Sequence, residues 1–351
     1  MNRLRRITIL FTVLCAVAAP GAGCASKWAL SAEAPAEPPQ WLDHSDLARA
    51  RHVASITGFR QTGTTIPNLL KYLVFGRTDA RNELVRPVAA AVGPDGRLAI
   101  ADTGCACVHL YVPTEQRYVR IHGAGREAFR SPVSAVFDKD SRLYVSDSAN
   151  GAIYVFNRQG AAFYSIRQAG DAALQRPTGL SYSPDRDILY AVDTLANRVH
   201  AFTAAGALLF SFGGPGEEKG RFNFPTHVVS RPDGSVYVTD ALNFRVQVFD
   251  ESGAYLSSFG HHGNGSGDFS MPKGIAVDRA GVVYVVDALF DNVQLFSMTG
   301  GLLFTIGGRG TGHGEFWLPS GAFMDEQNKL YVCDTYNQRV QVFQIQGDDD
   351  D

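Results

Sequence analysis

The sequence predicts an all-β fold: a six-bladed β-propeller of four-stranded antiparallel blades, closed by an N-terminal strand that completes the last blade. Three observations carry this. First, a unit recurs through the C-terminal three-quarters of the chain, clearest as VYVTDALNFRVQVF, VYVVDALFDNVQLF and LYVCDTYNQRVQVF. Its aspartates are Asp102, Asp147, Asp193, Asp240, Asp287 and Asp334, at intervals of 45, 46, 47, 47 and 47 residues. A period of this size signals a solenoid or a propeller. Second, Pro87, Pro132, Pro177, Pro225, Pro272 and Pro319 run in phase, each with Leu or Phe three residues earlier. Third, the last repeat lacks one strand, which an earlier segment must supply.

Residues 272–308 illustrate one blade. GIAVD (274–278), VVYVVD (282–287), VQLF (293–296) and LLFTIG (302–307) are β-branched and aromatic runs bounded by Gly, Asp and Pro, which is the signature of strands. Four short antiparallel strands per repeat make a propeller blade. The final repeat ends at VQVFQI (340–345), and KYLVFG (71–76) matches the missing fourth strand YLSSFG (255–260). Closure by that strand removes two free sheet edges and sets the propeller at 71–346, with 51–70 as a lead-in across its surface.

The chain opens with three arginines and an apolar run from Ile7 to Ala19, the pattern of a secretory signal over residues 1–23. That run is too short to span a bilayer, which needs ~20 apolar residues. Gly21-Ala22-Gly23-Cys24 resembles a bacterial lipobox, with Gly21 departing from the usual aliphatic residue, so Cys24 is the expected lipid-attachment site. Residues 24–50 are rich in Ala, Pro and Glu and read as a flexible tether; Trp28 and Trp41 within it are expected to pack on the domain. The acidic tail at 347–351 reads as a solvated terminus, since calcium needs carboxylates at fixed spacing.

A net charge of −3 offers no basic field for nucleic acid. Of the five cysteines, Cys105, Cys107 and Cys333 lie in the propeller. Cys333 reads as a small buried side chain. A bridge across the single residue between Cys105 and Cys107 would be strained, and strained disulfides are labile; as metal ligands the pair has only His109 nearby.

These residues resemble the NHL-repeat family of β-propellers, through G-I-A-V-D, Y-V-x-D-x-x-N-x-R-V-Q-V-F and F-G, over roughly 275 residues. With the leader, the resemblance is to a bacterial NHL-repeat lipoprotein. Cys107 and Ala152 replace the usual Arg, and Ala196 the usual Asn. Animal members bind RNA or protein, and a related six-bladed lyase cleaves peptidyl hydroxyglycine with a zinc held by channel histidines.

The repeated aspartates read as turn-holders, since Asp and Asn bond their own backbone in such loops, and Arg198, Arg245 and Arg339 as bridges between loops. The glycine-rich connections 213–225, 260–272 and 307–319 lead into no helix and read as compact turns rather than phosphate cradles. Only His227 occupies the position two after a blade-opening proline, so a three-histidine channel site is not expected; His261, His262 and His313 are a second possible cluster. No nucleophile elbow or cofactor fingerprint is present, and neither catalytic residue, cofactor nor metal is assigned.

The expectation is a monomeric, non-enzymatic binding module, lipid-anchored in the cell envelope. The absence of aspartate after Cys24 favours the outer membrane, facing the periplasm or the cell surface. Its partner would be an envelope protein, peptide or glycan, held by His227, Phe244, Phe290, Tyr336 and Trp317, because aromatic anchors carry disproportionate binding energy. The alternative is a metal-dependent lyase or hydrolase with its site in the channel.

Overall fold

The computed structural model describes residues 27–42, 48–62 and 81–346. Six antiparallel blades surround one axis. Blade one runs Pro87–Val92, Leu98–Asp102, Cys107–Val112 and Arg117–Ile121. Blade two opens at Pro132–Phe137, blade three at Pro177–Ser183, blade four at Pro225–Ser230 and blade five at Pro272–Val277. Each of these five is a four-stranded sheet in sequential order. The strands of blade five, Pro272–Val277, Val283–Asp287, Asn292–Phe296 and Leu302–Ile306, fall within two residues of the expected ones.

Blade six is completed from the N-terminal side, by a different segment from the one expected. Ala322–Met324, Lys329–Asp334 and Arg339–Ile345 are followed by Ala48–Thr62, which pairs antiparallel with the last of them from Ala50↔Ile345 to Ile56↔Val340. KYLVFG (71–76) lies outside the described residues. The 48–62 strand wins this place because it buries Ala50, Ile56 and Phe59 completely or nearly so, giving the edge both a backbone partner and an apolar face. The lead-in assigned to 51–70 is therefore blade through residue 62.

The tether assigned to 24–50 is corrected in the same way. Lys27–Glu33 forms a further strand outside Ala48–Thr62, in register from Lys27↔Thr62 to Glu33↔Ser55, and Gln40–Leu42 pairs with the start of the same strand. Trp28 packs on Tyr118 of blade one, with ring centroids 4.9 Å apart, and Trp41 on Phe343 at 5.5 Å. The prolines of this segment, Pro35, Pro38 and Pro39, fall in the turn between these strands, while Trp28 and Trp41 supply apolar contacts that order the chain. The segment expected to be a secretory signal, Cys24 and the acidic tail lie outside the described residues.

The residue three before each blade-opening position is an apolar wedge. Phe222, Phe269 and Phe316 are fully buried, and Leu84, Phe129 and Leu174 nearly so. Phe222 joins Phe212 and Phe249 in the cluster between blades three and four. The glycine of each F-G pair makes room for the wedge. Gly213, Gly260 and Gly307 adopt φ of 96°, 85° and 84°, and a Cβ there would meet the rings of Phe222, Phe269 and Phe316 at 2.4, 2.2 and 2.4 Å. Only glycine combines that backbone conformation with that contact. The glycine-rich connections are compact turns, as expected: Phe222 N–H donates to Gly214 O and Gly216 N–H to Phe222 O.

Candidate functional site

The face on which every blade opens is built by the six repeated aspartates. All six are buried, and each accepts backbone N–H groups from the turn that enters its blade. Asp102 takes Val85 and Arg86, Asp147 takes Arg130 and Ser131, and Asp193 takes Gln175 and Arg176. Asp240, Asp287 and Asp334 take Asn223, Ser270 and Trp317. A carboxylate with two or three such donors is a structural clamp. In blades four and six a shared set of side chains adds to it: Asn243, Arg245 and Gln247 donate to Asp240, and Asn337, Arg339 and Gln341 to Asp334. Arg245 and Arg339 also reach carbonyls of the preceding connection, as expected. Arg198 does not: it is exposed and makes no such bridge among the described residues.

Hydroxyl clasps tie neighbouring inner strands together near the axis. Thr178 and Thr194 of blade three donate to Thr226 O and Pro225 O of blade four. Ser320 and Thr335 of blade six donate likewise to Val88 O and Pro87 O of blade one. In blades four and five the residue after the aspartate is instead Ala241 or Ala288, so that clasp is missing. There the axis carries Thr226, His227 and Lys273. The buried Thr226 Oγ1, His227 Nδ1 and Thr239 Oγ1 have no hydrogen-bond partner, and Thr239 faces His227 across the ladder. Buried polar atoms are ordinarily satisfied, so three orphans on adjacent strands mark a place where water or a ligand completes the set. Burial and the Lys273 ammonium hold His227 neutral, its pKa lowered to about 4. Burial also lowers the pKa of Lys273, against the opposing attraction of the Asp287 carboxylate.

An exposed apolar arc recurs on this face. Leu195, Leu242, Leu289 and Tyr336 each stand two residues after the repeated aspartate, in four consecutive blades, and are 49, 52, 55 and 47% exposed. Met271 and Trp317 flank them on the entering turns and are also exposed. Trp317 packs on Tyr336 at 5.7 Å, and Arg86 lies over the Tyr336 ring. The corresponding positions in blades one and two are Gly104 and Ala149, so the arc is one-sided. Isolated exposed apolar side chains are ordinary; their recurrence at one position of four consecutive repeats on one face is not.

The five residues singled out from sequence fall into three places. Tyr336 and Trp317 are on the arc, His227 is at the axis, and Phe244 and Phe290 are half-buried in their turns. Phe244 packs on His262, with centroids 4.4 Å apart, so it is blade packing rather than an exposed anchor. His261, His262 and His313 do not form one cluster: His261 pairs with Asp268, and the His313 ring lies tilted against His52 with centroids 5.0 Å apart. Sequence reasoning missed Leu195, Leu242 and Leu289, although their spacing of 47 residues was visible. It also missed Thr226 and Lys273, whose importance comes from the absence of clasps in two blades. A separate groove of about 410 Å³, lined by Tyr284, Leu295, Leu302 and Phe304, lies between blades five and six away from the axis.

Cys105 and Cys107 are joined by a disulfide, and Cys333 is free and buried. His109 Nε2 lies 3.7 Å from Cys105 Sγ and 3.4 Å from Cys107 Sγ. The three side chains have the grouping of a metal site, but the bridged sulfurs have no thiolate to offer a metal.

The comparisons agree with this architecture. A family described as "6-bladed beta-propeller" matches residues 225–289, and the NHL repeat matches 316–343. Together with six in-phase repeats closed into a ring, these matches make the chain an NHL-repeat β-propeller. No curated protein sequence matches it. Among solved structures, a streptogramin B lyase is 10% identical with a TM-score of 0.57, covering 75% of this chain and 94% of its own. The virginiamycin B lyase of Staphylococcus aureus is 13% identical with a TM-score of 0.56, covering 76% and 97%. An auxiliary nutrient binding protein from Bacteroides thetaiotaomicron is 14% identical with a TM-score of 0.56, covering 74% and 69%. At these identities the likeness is one of fold, which does not fix function.

Proposed function

We propose that this chain is a non-enzymatic binding module of the cell envelope, anchored through Cys24, that holds a peptide or protein segment on its blade-opening face. The carrying observation is the set of exposed apolar side chains Leu195, Leu242, Leu289 and Tyr336 on the face where the blades open, together with three buried polar atoms on blade four that have no hydrogen-bond partner. Such a site suits an apolar segment that places a carboxylate near Lys273 and hydrogen-bonding groups near Thr226 and His227. Apolar contact supplies affinity and the few polar groups fix orientation. A propeller described as a nutrient binding protein is among the folds of this shape, which is in keeping with a binding role.

The test is binding of apolar peptides with a free or an amidated C-terminus to the purified protein, measured by calorimetry. Preference for the free carboxylate, lost in Lys273→Met and weakened at least tenfold in the double variant Leu242→Asp/Leu289→Asp, is the expected result. Equal binding of both peptides, or an unaffected double variant, sinks the reading. The metal-dependent lyase alternative has weaker support: His227 is the one histidine on an inner strand among the described residues, and zinc held by three protein ligands needs more.

A further inference from the structure

In blade one the whole capping set around the repeated aspartate has been exchanged. Where blade four has Asn243, Arg245 and Gln247 around Asp240, and blade six has Asn337, Arg339 and Gln341 around Asp334, blade one has Cys105, Cys107 and His109 around Asp102. The turn itself is unchanged. Its fourth residue after the aspartate is left-handed in every blade: Ala106, Gly151, Asn197, Phe244, Asp291 and Gln338 have φ between 46° and 61°. Asp102 keeps its clamp, accepting Val85, Arg86 and Gly104 N–H. The backbone that brings Asn243 and Arg245 together on one carboxylate thus brings two sulfurs together in blade one.

The surroundings of the two sulfurs differ. Cys105 is part-exposed on the blade-opening face, while Cys107 and His109 are fully buried. His109 Nδ1 is hydrogen-bonded to the Tyr118 hydroxyl at 2.8 Å, and burial keeps that phenol protonated as a donor. Nε2 faces Cys107 Sγ at 3.4 Å and the buried Asp102 Oδ2 at 3.6 Å, and with Tyr118 donating to Nδ1 it is the ring nitrogen that carries the proton. Phe59 stacks on the imidazole at 5.4 Å and holds its plane. A partly accessible sulfur bonded to a buried one beside an N–H donor is an arrangement for thiol–disulfide exchange, because a stabilised leaving thiolate departs faster.

We propose that Cys105–Cys107 is an exchange centre that oxidises accessible thiols. An incoming thiolate attacks Cys105 Sγ, forming a mixed disulfide and breaking the Cys105–Cys107 bond. Cys107 leaves as a thiolate that accepts a hydrogen bond from the Nε2–H of His109, and it is protonated by the proton that the incoming thiol gave up to water on ionising. A second thiol attacks the mixed disulfide at the substrate sulfur, and Cys105 leaves as a thiolate that is reprotonated. Two thiols have become one disulfide, and the protein disulfide has become a dithiol. The same substitutions would have no such consequence in a turn whose sulfurs were both buried.

Native protein is incubated with reduced glutathione or with a cysteine-containing peptide, quenched, alkylated and mapped by mass spectrometry. Cys333 is buried and free, so its labelling reports unfolding within the same sample. The expected result is labelling of Cys105 and Cys107 with Cys333 protected, at a rate at least tenfold slower in His109→Gln. Gln is the residue that blades four and six carry at this position, so this variant preserves the fold; Tyr118→Phe, which removes the bond fixing the imidazole, gives a second, smaller slowing. The variant Cys105→Asn/Cys107→Arg/His109→Gln restores the capping set of the other blades and serves as a folded blank. Labelling of the pair only together with Cys333 overturns the proposal, as does an unreactive pair or a His109→Gln variant that exchanges at the wild-type rate. Reaction with glutathione and not with the peptide assigns the activity to small thiols, and reaction with both extends it to protein thiols.

Discussion

Asp240 Oδ2 accepts the Nε–H of Arg245 at 2.8 Å, and the same guanidinium continues to Arg221 O and Glu218 O of the preceding connection. One side chain therefore ties a buried carboxylate to the loop that enters its blade. Blade six repeats this with Asp334 and Arg339.

Removing Arg245 leaves a fully buried carboxylate with the weaker donors Asn243, Gln247 and Asn223 N–H. Because a charge-assisted bond and two loop carbonyls lose their partner together, Arg245→Met is expected to cost about 2–4 kcal/mol, read from the shift of the urea midpoint at constant slope. An unchanged midpoint would refute the clamp.

The ring closure makes a second prediction. Phe59 is fully buried on the strand that completes blade six, and its ring stacks on Tyr118 of blade one at 4.5 Å. It thus joins the last blade to the first. Phe59→Ala should cost about 3–5 kcal/mol. A chain beginning after residue 62 would expose the Arg339–Ile345 edge and should aggregate; a monomeric, fully folded truncation would show that the closure is dispensable.

The six blades were legible because period, proline and wedge are enforced by geometry that every repeat shares. Closure was legible as a need, since the last repeat is one strand short, but its donor was not. KYLVFG (71–76) copies the fourth-strand pattern with its F-G ending, whereas the 48–62 strand carries its aromatic as GF (58–59) and a register shift between His52 and Ala54 that hides its alternation. The site was legible only in part. Tyr336 and Trp317 stand out as aromatics and His227 as an exception to small residues, but Lys273 and Thr226 acquire meaning only when the clasps of blades three and six are compared with the alanines of blades four and five.

The arc should separate binding from stability. Leu242 and Leu289 are more than half exposed and contribute little to any core cluster. Leu242→Asp/Leu289→Asp is therefore expected to keep its melting temperature, with a change in stability within about 0.5 kcal/mol per site, while losing the ligand. A large thermal shift would place these leucines in the fold instead of the site.

Acid should weaken this protein through two histidines. His52 is buried on the closing strand, hydrogen-bonded to Ser55, near His313 and Arg339, and burial followed by those charges lowers its pKa to about 4. His227 is lowered to the same value by burial and Lys273. Both folded values lie below the ~6.5 of an unfolded histidine. Between about pH 6.5 and 4 the unfolded chain therefore binds protons that the folded chain refuses, and stability falls as pH falls. For His52 the loss reaches at most about 3 kcal/mol by pH 4. His52→Gln should flatten the slope of unfolding free energy against pH across this window, in denaturant titrations from pH 7.5 to 4. His227→Gln should do so independently, because the two residues lie in different blades and share no partner. A wild-type slope retained in both variants would mean that neither imidazole is held neutral in the fold.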